Sequence, residues 1–236
     1  LVLPQIDTLA CGEVGIGKMA EPATIIEAVE AHFALASSLE RTSAIVTSGA
    51  TIERIDSVRF LSNFSSGKQG AAIALALANA GAQVTLVSGK SSEATPLHPR
   101  ITTLRIESAA EMLDAVHQGL PADIFVGCAA VCDFAIANRA ERKIKKSEGL
   151  RLEFEESPDI VRSIGMLPSP ERPQIVVGFA AETDRLIDYA RKKLSDKGCD
   201  LIVANDVSEG AVFGKDENQA SFVTEDSVDT LETMGK

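Results

Sequence analysis

Six short apolar runs recur along this chain, at residues 44–46, 83–88, 102–106, 123–128, 175–179 and 200–204. Each has the length of a strand, and the stretches between several of them have helical spacing. Gly70, Ile73, Ala74, Leu77 and Ala78 mark the buried face of a helix over residues 66–80, and residues 109–118 and 184–197 read as two more. Strands that are apolar on both faces and alternate with helices need a parallel sheet covered on both sides. The expected fold is therefore α/β, a Rossmann-like parallel-rich sheet with helices on both faces.

Such sheets bind ligands at the carboxyl ends of their strands. Here those ends are Ser48-Gly49, Ser88-Gly89, Ala129-Ala130, residues 180–182 and Asn205-Asp206, a collection of small and polar residues. Ser65-Ser66-Gly67 opens the 66–80 helix beside Lys68, and the free N–H groups of a helix start suit a phosphate. A nicotinamide-binding enzyme is a poor fit. The first turn reads S-G-A-T instead of G-x-G-x-x-G, and the second strand ends in Ser88-Gly89-Lys90, with no acid for a ribose hydroxyl.

Composition narrows the partners. A formal charge of −11 argues against nucleic acid and an anionic membrane surface, so an anionic substrate needs a local basic pocket. No apolar run approaches the ~18–20 residues of a membrane span, and no signal peptide is visible. Cys11, Cys128, Cys132 and Cys199 lack C-x-x-C spacing, and Cys128 and Cys132 read as buried free thiols. A reducing, cytoplasmic location is expected. His32, His98 and His117 have no metal-site spacing.

Two segments carry candidate chemistry. In Gly127-Cys128-Ala129-Ala130-Val131-Cys132-Asp133-Phe134, small residues admit a flat base to the backbone and Asp133 offers a carboxylate for a cation on phosphates. Arg142, Lys143, Lys145 and Lys146 then form the one dense basic cluster. Such runs are ordinarily solvated, but this one follows the strand end where a polyphosphate would sit.

The string T-S-G-A-T-I-E-R-I-D-S-V-R-F-L-S-N-F-S-S-G-K-Q-G at 47–70 resembles the start of the ligase half of the bacterial bifunctional phosphopantothenoylcysteine decarboxylase/phosphopantothenate–cysteine ligase family. Ala50, Arg54 and Ser57 depart from that pattern: a Gly and two prolines are lost, which narrows the turn's backbone freedom and loosens the loop. Arg59, Asn63 and Lys68 are in place. The resemblance continues through A-A-V-C-D-F at 129–134, K-I-K-K at 143–146, Pro158-Asp159-Ile160-Val161, residues 177–183 and residues 204–207. In front, A-C-G-E-V-G-I-G-K-M-A-E-P at 10–22 resembles the substrate flap of the decarboxylase half, where the cysteine matching Cys11 donates a proton. Lys18 stands where Arg is usual, which keeps charge but loses a bidentate fork.

The resemblance implies residues 1–36 as the tail of a flavin-dependent decarboxylase domain, with a helix from Pro22 bearing Ile25, Ile26, Val29 and Phe33. Residues 37–42 become a linker and 43–236 the ligase domain, with the acidic tail beyond Thr224 truncated or disordered. It further implies ligation of 4′-phosphopantothenate to L-cysteine through an acyl-cytidylate made from CTP. Lys143, with Mg²⁺ near Asp133, would stabilise charge on the α-phosphate. Asn63 would hold the acyl group, and Phe179 with Gly127, Cys128 and Ala129 would take the cytosine. Lys193 and Lys197 would hold the triphosphate beside Pro158, Asp159, Ile160 and Val161. FMN belongs only to the full-length decarboxylase, so no decarboxylation is expected here. A homodimer through the ligase domain, and a higher oligomer of the full-length enzyme, complete the implied picture. A non-catalytic nucleotide-binding or assembly module is the alternative.

Overall fold

The computed structural model describes residues 3, 5–8, 14–36, 38–182, 184–206, 217–218, 220–231 and 234–235. Its centre is an eight-stranded sheet of β1 (Ser43–Ser48), β2 (Gln83–Ser88), β3 (Ile101–Arg105), β4 (Ile124–Gly127), β5 (Ile175–Glu182), β6 (Leu201–Asp206), β7 (Ala220–Val223) and β8 (Val228–Thr230). The spatial order is β8-β7-β6-β5-β4-β1-β2-β3. β1 to β6 are parallel, while β7 and β8 add antiparallel at one edge. The expected Rossmann-like sheet is thus observed. Of the tail beyond Thr224, expected to be truncated or disordered, residues 225–230 turn back through a Thr224–Ser227 contact to form β8.

Five helices accompany the sheet among the described residues: α1 (Pro22–Ala36), α2 (Lys68–Asn79), α3 (Ala109–Gln118), α4 (Ile160–Gly165) and α5 (Leu186–Lys197). Strand alternation sorts the side chains between two faces. Ile45, Val87, Phe125 and Val176 pack with Met112 and Val116 of α3 and Ile160 and Ile164 of α4. Ala44, Val46, Leu86 and Val126 point the other way, onto Ala74 and Ala78 of α2. A third cluster joins Ala180, Ile202 and Ala204 to Ala190 and Leu194 of α5. Burial on both faces explains why these strands read as unbroken apolar runs.

Helix starts differ from expectation at one informative place. α2 begins at Lys68, and its cap is Gly67 in the left-handed region (φ 77°), not a serine. Ser66 Oγ accepts from the Lys68 N–H, at 3.3 Å. α5 begins at Leu186, two residues later than expected. Leu39 seats the segment before β1, donating its N–H to Ala80 O at 2.8 Å and packing on the α2 side of the sheet. On α1, the side chains of Ile26 and Val29 are exposed.

Candidate functional site

β1 and β4 lie side by side, yet the chain leaves β1 toward β2 and β4 toward β5. Loops after neighbouring strands therefore part there, and a crevice opens at their carboxyl ends. The β1 end is a backbone clasp. Ala50 exchanges hydrogen bonds with Lys90 at 2.8 and 2.9 Å, and Ala130 N donates to Gly49 O at 2.8 Å. Gly49 takes φ 79°, and a Cβ there would stand 2.5 Å from Lys90 O. Ala50 is fully buried and has no left-handed backbone, so the turn accepts alanine where the family pattern has glycine. The lost proline at Arg54 is offset by a fork of two 2.7 Å bonds from its guanidinium to Glu107.

The crevice is a cleft of about 1160 Å³. One wall is the start of α2, from Ser65 to Gly70, and the floor is Gly127 to Asp133 with Gly178 to Ala181. The far wall is Pro158 to Val161 with Lys193 and Lys197. Eleven sequence candidates thus line one space: Gly127, Cys128, Ala129, Asp133, Pro158, Asp159, Ile160, Val161, Phe179, Lys193 and Lys197. Phe64, Glu93, Glu156 and Asn205 also line it and were not singled out as site residues. Asn205 sits at the end of β6, a strand-end signal that sequence reading noted without using.

The far wall is built around charge. Asp159 caps α4, accepting from Arg162 N at 3.0 Å, and also pairs with Lys197 Nζ at 3.2 Å. Lys193 lies one turn earlier on α5, and burial first, then the Lys197 charge, pushes its pKa down. An incoming phosphate would relieve both penalties. Burial pushes the Cys128 thiol up to about 12 and the Cys199 thiol up to about 11, and it raises the Cys132 thiol too. These three are structural thiols, not nucleophiles.

Asn63 borders the cleft rather than lining it. Its amide donates to Val131 O at 2.9 Å and Ala130 O at 3.3 Å, bracing the 129–133 loop. Lys143 is elsewhere. It lines a second pocket of about 460 Å³ with Val58, Arg59, Ile144, Lys145 and Lys146. Asp56 organises that pocket: its carboxylate accepts from Arg59 Nη2 at 2.5 Å and from Ile144 N at 3.1 Å, while Arg59 Nη2 donates to Ile144 O at 2.7 Å. Cys11 lies outside the described residues. No cluster of three or more potential metal ligands occurs among the described residues. Asp133 faces the cleft with one carboxylate, which suits Mg²⁺ shared with a ligand's phosphates rather than a protein-only cage. No described helix is long and apolar enough to cross a membrane.

Comparison with known proteins places this architecture. The coenzyme A biosynthesis bifunctional protein CoaBC of Haemophilus influenzae is 43% identical over 220 residues, covering 92% of this chain and 54% of that protein. Its Escherichia coli counterpart is 42% identical over 229 residues, covering 94% and 55%. The chain thus spans about half the length of these relatives. A crystal structure of the C-terminal domain of CoaBC superposes with a TM-score of 0.68 at 36% identity, covering 83% of this chain and 88% of that one. The family model of the DNA/pantothenate metabolism flavoprotein C-terminal domain matches residues 39–236, and this chain belongs to that family.

Proposed function

We propose that this chain joins 4′-phosphopantothenate to L-cysteine, using CTP to activate the carboxylate as an acyl-cytidylate with release of pyrophosphate. The supporting observation is one cleft at the β1–β4 switch, which combines a floor of mostly small residues, ending in the Asp133 carboxylate, with a lysine pair on its far wall. The floor suits a base and the lysines suit a triphosphate. In this reading the carboxylate oxygen of phosphopantothenate attacks the α-phosphorus, and pyrophosphate departs with the broken P–O bond. The cysteine amine then attacks the acyl carbon, CMP leaves, and one proton is lost from nitrogen.

Lys193 and Lys197 hold the β- and γ-phosphates and draw charge toward the leaving group. Asp133 would hold a Mg²⁺ brought with the nucleotide, and the ion would supply positive charge to the phosphoryl-transfer step. Gly127, Cys128, Ala129 and Phe179 receive the cytosine. Asn63 keeps the acyl group in place for the amine, by exchanging its present carbonyl partners. Lys143 serves the first step only if the 143–146 segment leaves its own pocket, or if a second copy brings it. A homodimer supplies the second route. The same reading makes residues 1–36 the end of an FMN-dependent decarboxylase domain, with Cys11 as its proton donor, and the protein a cytoplasmic one.

The deciding experiment is pyrophosphate release from CTP with phosphopantothenate, followed by addition of cysteine. CTP should outperform ATP and GTP, because a wrong base leaves buried polar groups unpaired. Lys143→Gln should block formation of the intermediate, at a cost on the order of 3 kcal/mol. Asn63→Asp should let the intermediate accumulate without amide product. Equal rates with ATP would overturn the nucleotide assignment. No pyrophosphate with any nucleotide would favour a non-catalytic module, a reading that the position of Lys143 outside the cleft also suits.

A further inference from the structure

The loop that delivers Asp133 to the cleft is held almost wholly by groups outside it. Ala129 N donates to Thr47 Oγ1 at 3.2 Å, Ala130 N to Gly49 O at 2.8 Å and Cys132 N to Thr51 Oγ1 at 2.8 Å. The carbonyls of Ala130 and Val131 accept from Asn63, and Ala130 O accepts as well from Thr51 N at 3.3 Å. Thr51 stands at the centre of these ties. It is fully buried, and its own carbonyl accepts from Ser62 Oγ at 2.8 Å. The next link reaches the far wall, where Ser157 N donates to Asp133 O at 2.9 Å.

Threonine is an unusual economy at a fully buried site, because valine has the same shape without a hydroxyl to satisfy. The hydroxyl is retained on a bond to the amide directly before Asp133. We propose that Thr51 is a positioning residue for Asp133, acting through the Cys132 amide, and that this link sets how tightly the cleft takes a divalent cation together with a nucleoside triphosphate. The inference rests on the nucleotide reading of the cleft. It concerns the cation–phosphate step alone and leaves the lysine contacts untouched.

The test compares Thr51→Val, which keeps shape and loses the hydroxyl, with Thr51→Ser, which keeps the hydroxyl. Mn²⁺ binding in the presence of CTP is followed by electron paramagnetic resonance, and the Mg²⁺ dependence of pyrophosphate release is measured in parallel. Thr51→Val should weaken both cation constants about tenfold, as one lost buried hydrogen bond would, with the KM for phosphopantothenate unchanged. Thr51→Ser should restore both to within about twofold, although its missing methyl lowers the melting temperature. Exchange of the Cys132 amide should quicken in Thr51→Val only. Should that variant fail to fold, Ser62→Ala provides the same reading with a smaller loss, about two- to threefold in the cation constants, because it leaves the Thr51 carbonyl with the weaker Cys132 Sγ donor at 3.7 Å. Equal cation constants in all variants, or losses in Thr51→Ser that match those in Thr51→Val, would overturn the proposal. A wild-type protein that binds Mn²⁺ with CTP yet releases no pyrophosphate would overturn the ligase reading instead, and Thr51 would be judged on binding alone.

Discussion

The β1–β4 cleft and the basic segment at 143–146 differ in what fixes them. The cleft is bounded by strand ends and by helices whose buried faces lock them to the sheet. The basic segment has one short 3₁₀ turn, at Lys146–Glu148, and hangs from the Asp56–Arg59 hub. Both carry positive charge for a phosphate, yet Lys193 and Lys197, like Lys68 on the opposite wall, already line the cleft, while Lys143, Lys145 and Lys146 line the second pocket. Charge on the framework is in place before any ligand arrives, whereas charge on a tethered segment has to be delivered.

The contrast breaks most severely if the framework itself is disturbed. Gly165 ends α4 against the end of α5, and a Cβ there would stand 2.1 Å from Lys197 O and 2.8 Å from Gly198 O. Both neighbours are backbone and cannot swing aside. Arg172 fastens the same junction, donating to Gly165 O at 2.9 Å and Gly198 O at 2.8 Å. Gly165→Ala should therefore cost about 3 kcal/mol or more, a fall of roughly 6–12 °C in melting temperature for a chain of this size. Because α4 bears Asp159 and α5 bears Lys197, nucleotide affinity should fall with it. An unchanged melting curve would show that this junction yields more easily than its geometry implies.

A smaller effect separates the two lysines. Lys197 is paired with Asp159, whereas burial, and after it the Lys197 charge, holds the Lys193 pKa down. Lys193→Met should weaken CTP binding by about tenfold to a hundredfold, the worth of one charge-assisted phosphate contact. Lys197→Met should lose less, since in the free protein the Lys197 charge is already engaged by Asp159 and a phosphate gains less from it. Because the Lys193 pKa is held down, wild-type affinity should begin to decline at a lower pH than an ordinary lysine at 10.5 would dictate. Lys193→Arg should remove that early decline. Calorimetric titration over pH 7–10 reads both effects, and equal losses in the two methionine variants would refute the ranking.

What the sequence disclosed follows the same division. The parallel strands and the carboxyl-end residues were legible because burial on both faces writes unbroken apolar runs. Gly127, Cys128, Ala129 and Asp133 followed from their place at a strand end, whereas the family resemblance supplied Pro158, Asp159, Ile160, Val161, Phe179, Lys193 and Lys197, the last two one turn apart on α5. The hairpin of Ile52–Arg54 and Phe60–Ser62 was not legible, because its strands are three residues long and carry Glu53 and Arg54. β7 and β8 were hidden in an acidic tail, where the inward side chains number too few to make a pattern. The place of Lys143 was illegible for another reason. Its identity is local, but its position depends on Asp56, which lies 88 residues from Ile144. Thr51 read as one letter of a motif, and its part in holding Cys132 depends on a contact across 81 residues.

The gentlest test acts on the tether alone. Burial pushes the Asp56 carboxyl up, but the amides of Val58, Ile144 and Arg59 and the Arg59 guanidinium outweigh it, holding the pKa at about 2 against an ordinary 3.8. A carboxylate more acidic when folded binds protons preferentially when released, so acid favours release. The hub's contribution should be complete above about pH 4 and disappear as pH falls from there through about 2. Exchange at the Ile144 amide, corrected for the intrinsic pH dependence, should quicken over that window while amides in β1 and β4 stay protected. At neutral pH, Asp56→Asn should mimic the acid state. Trypsin should then cut after Arg142, Lys143, Lys145 and Lys146 several-fold faster, because local opening governs cleavage in a short exposed segment. The melting temperature should move far less than in Gly165→Ala, since Asp56, Arg59 and Ile144 belong to none of the three core clusters. If Asp56→Asn instead exposes β1 and β4 to exchange, the tether is part of the framework, and the distinction between preset and delivered charge fails.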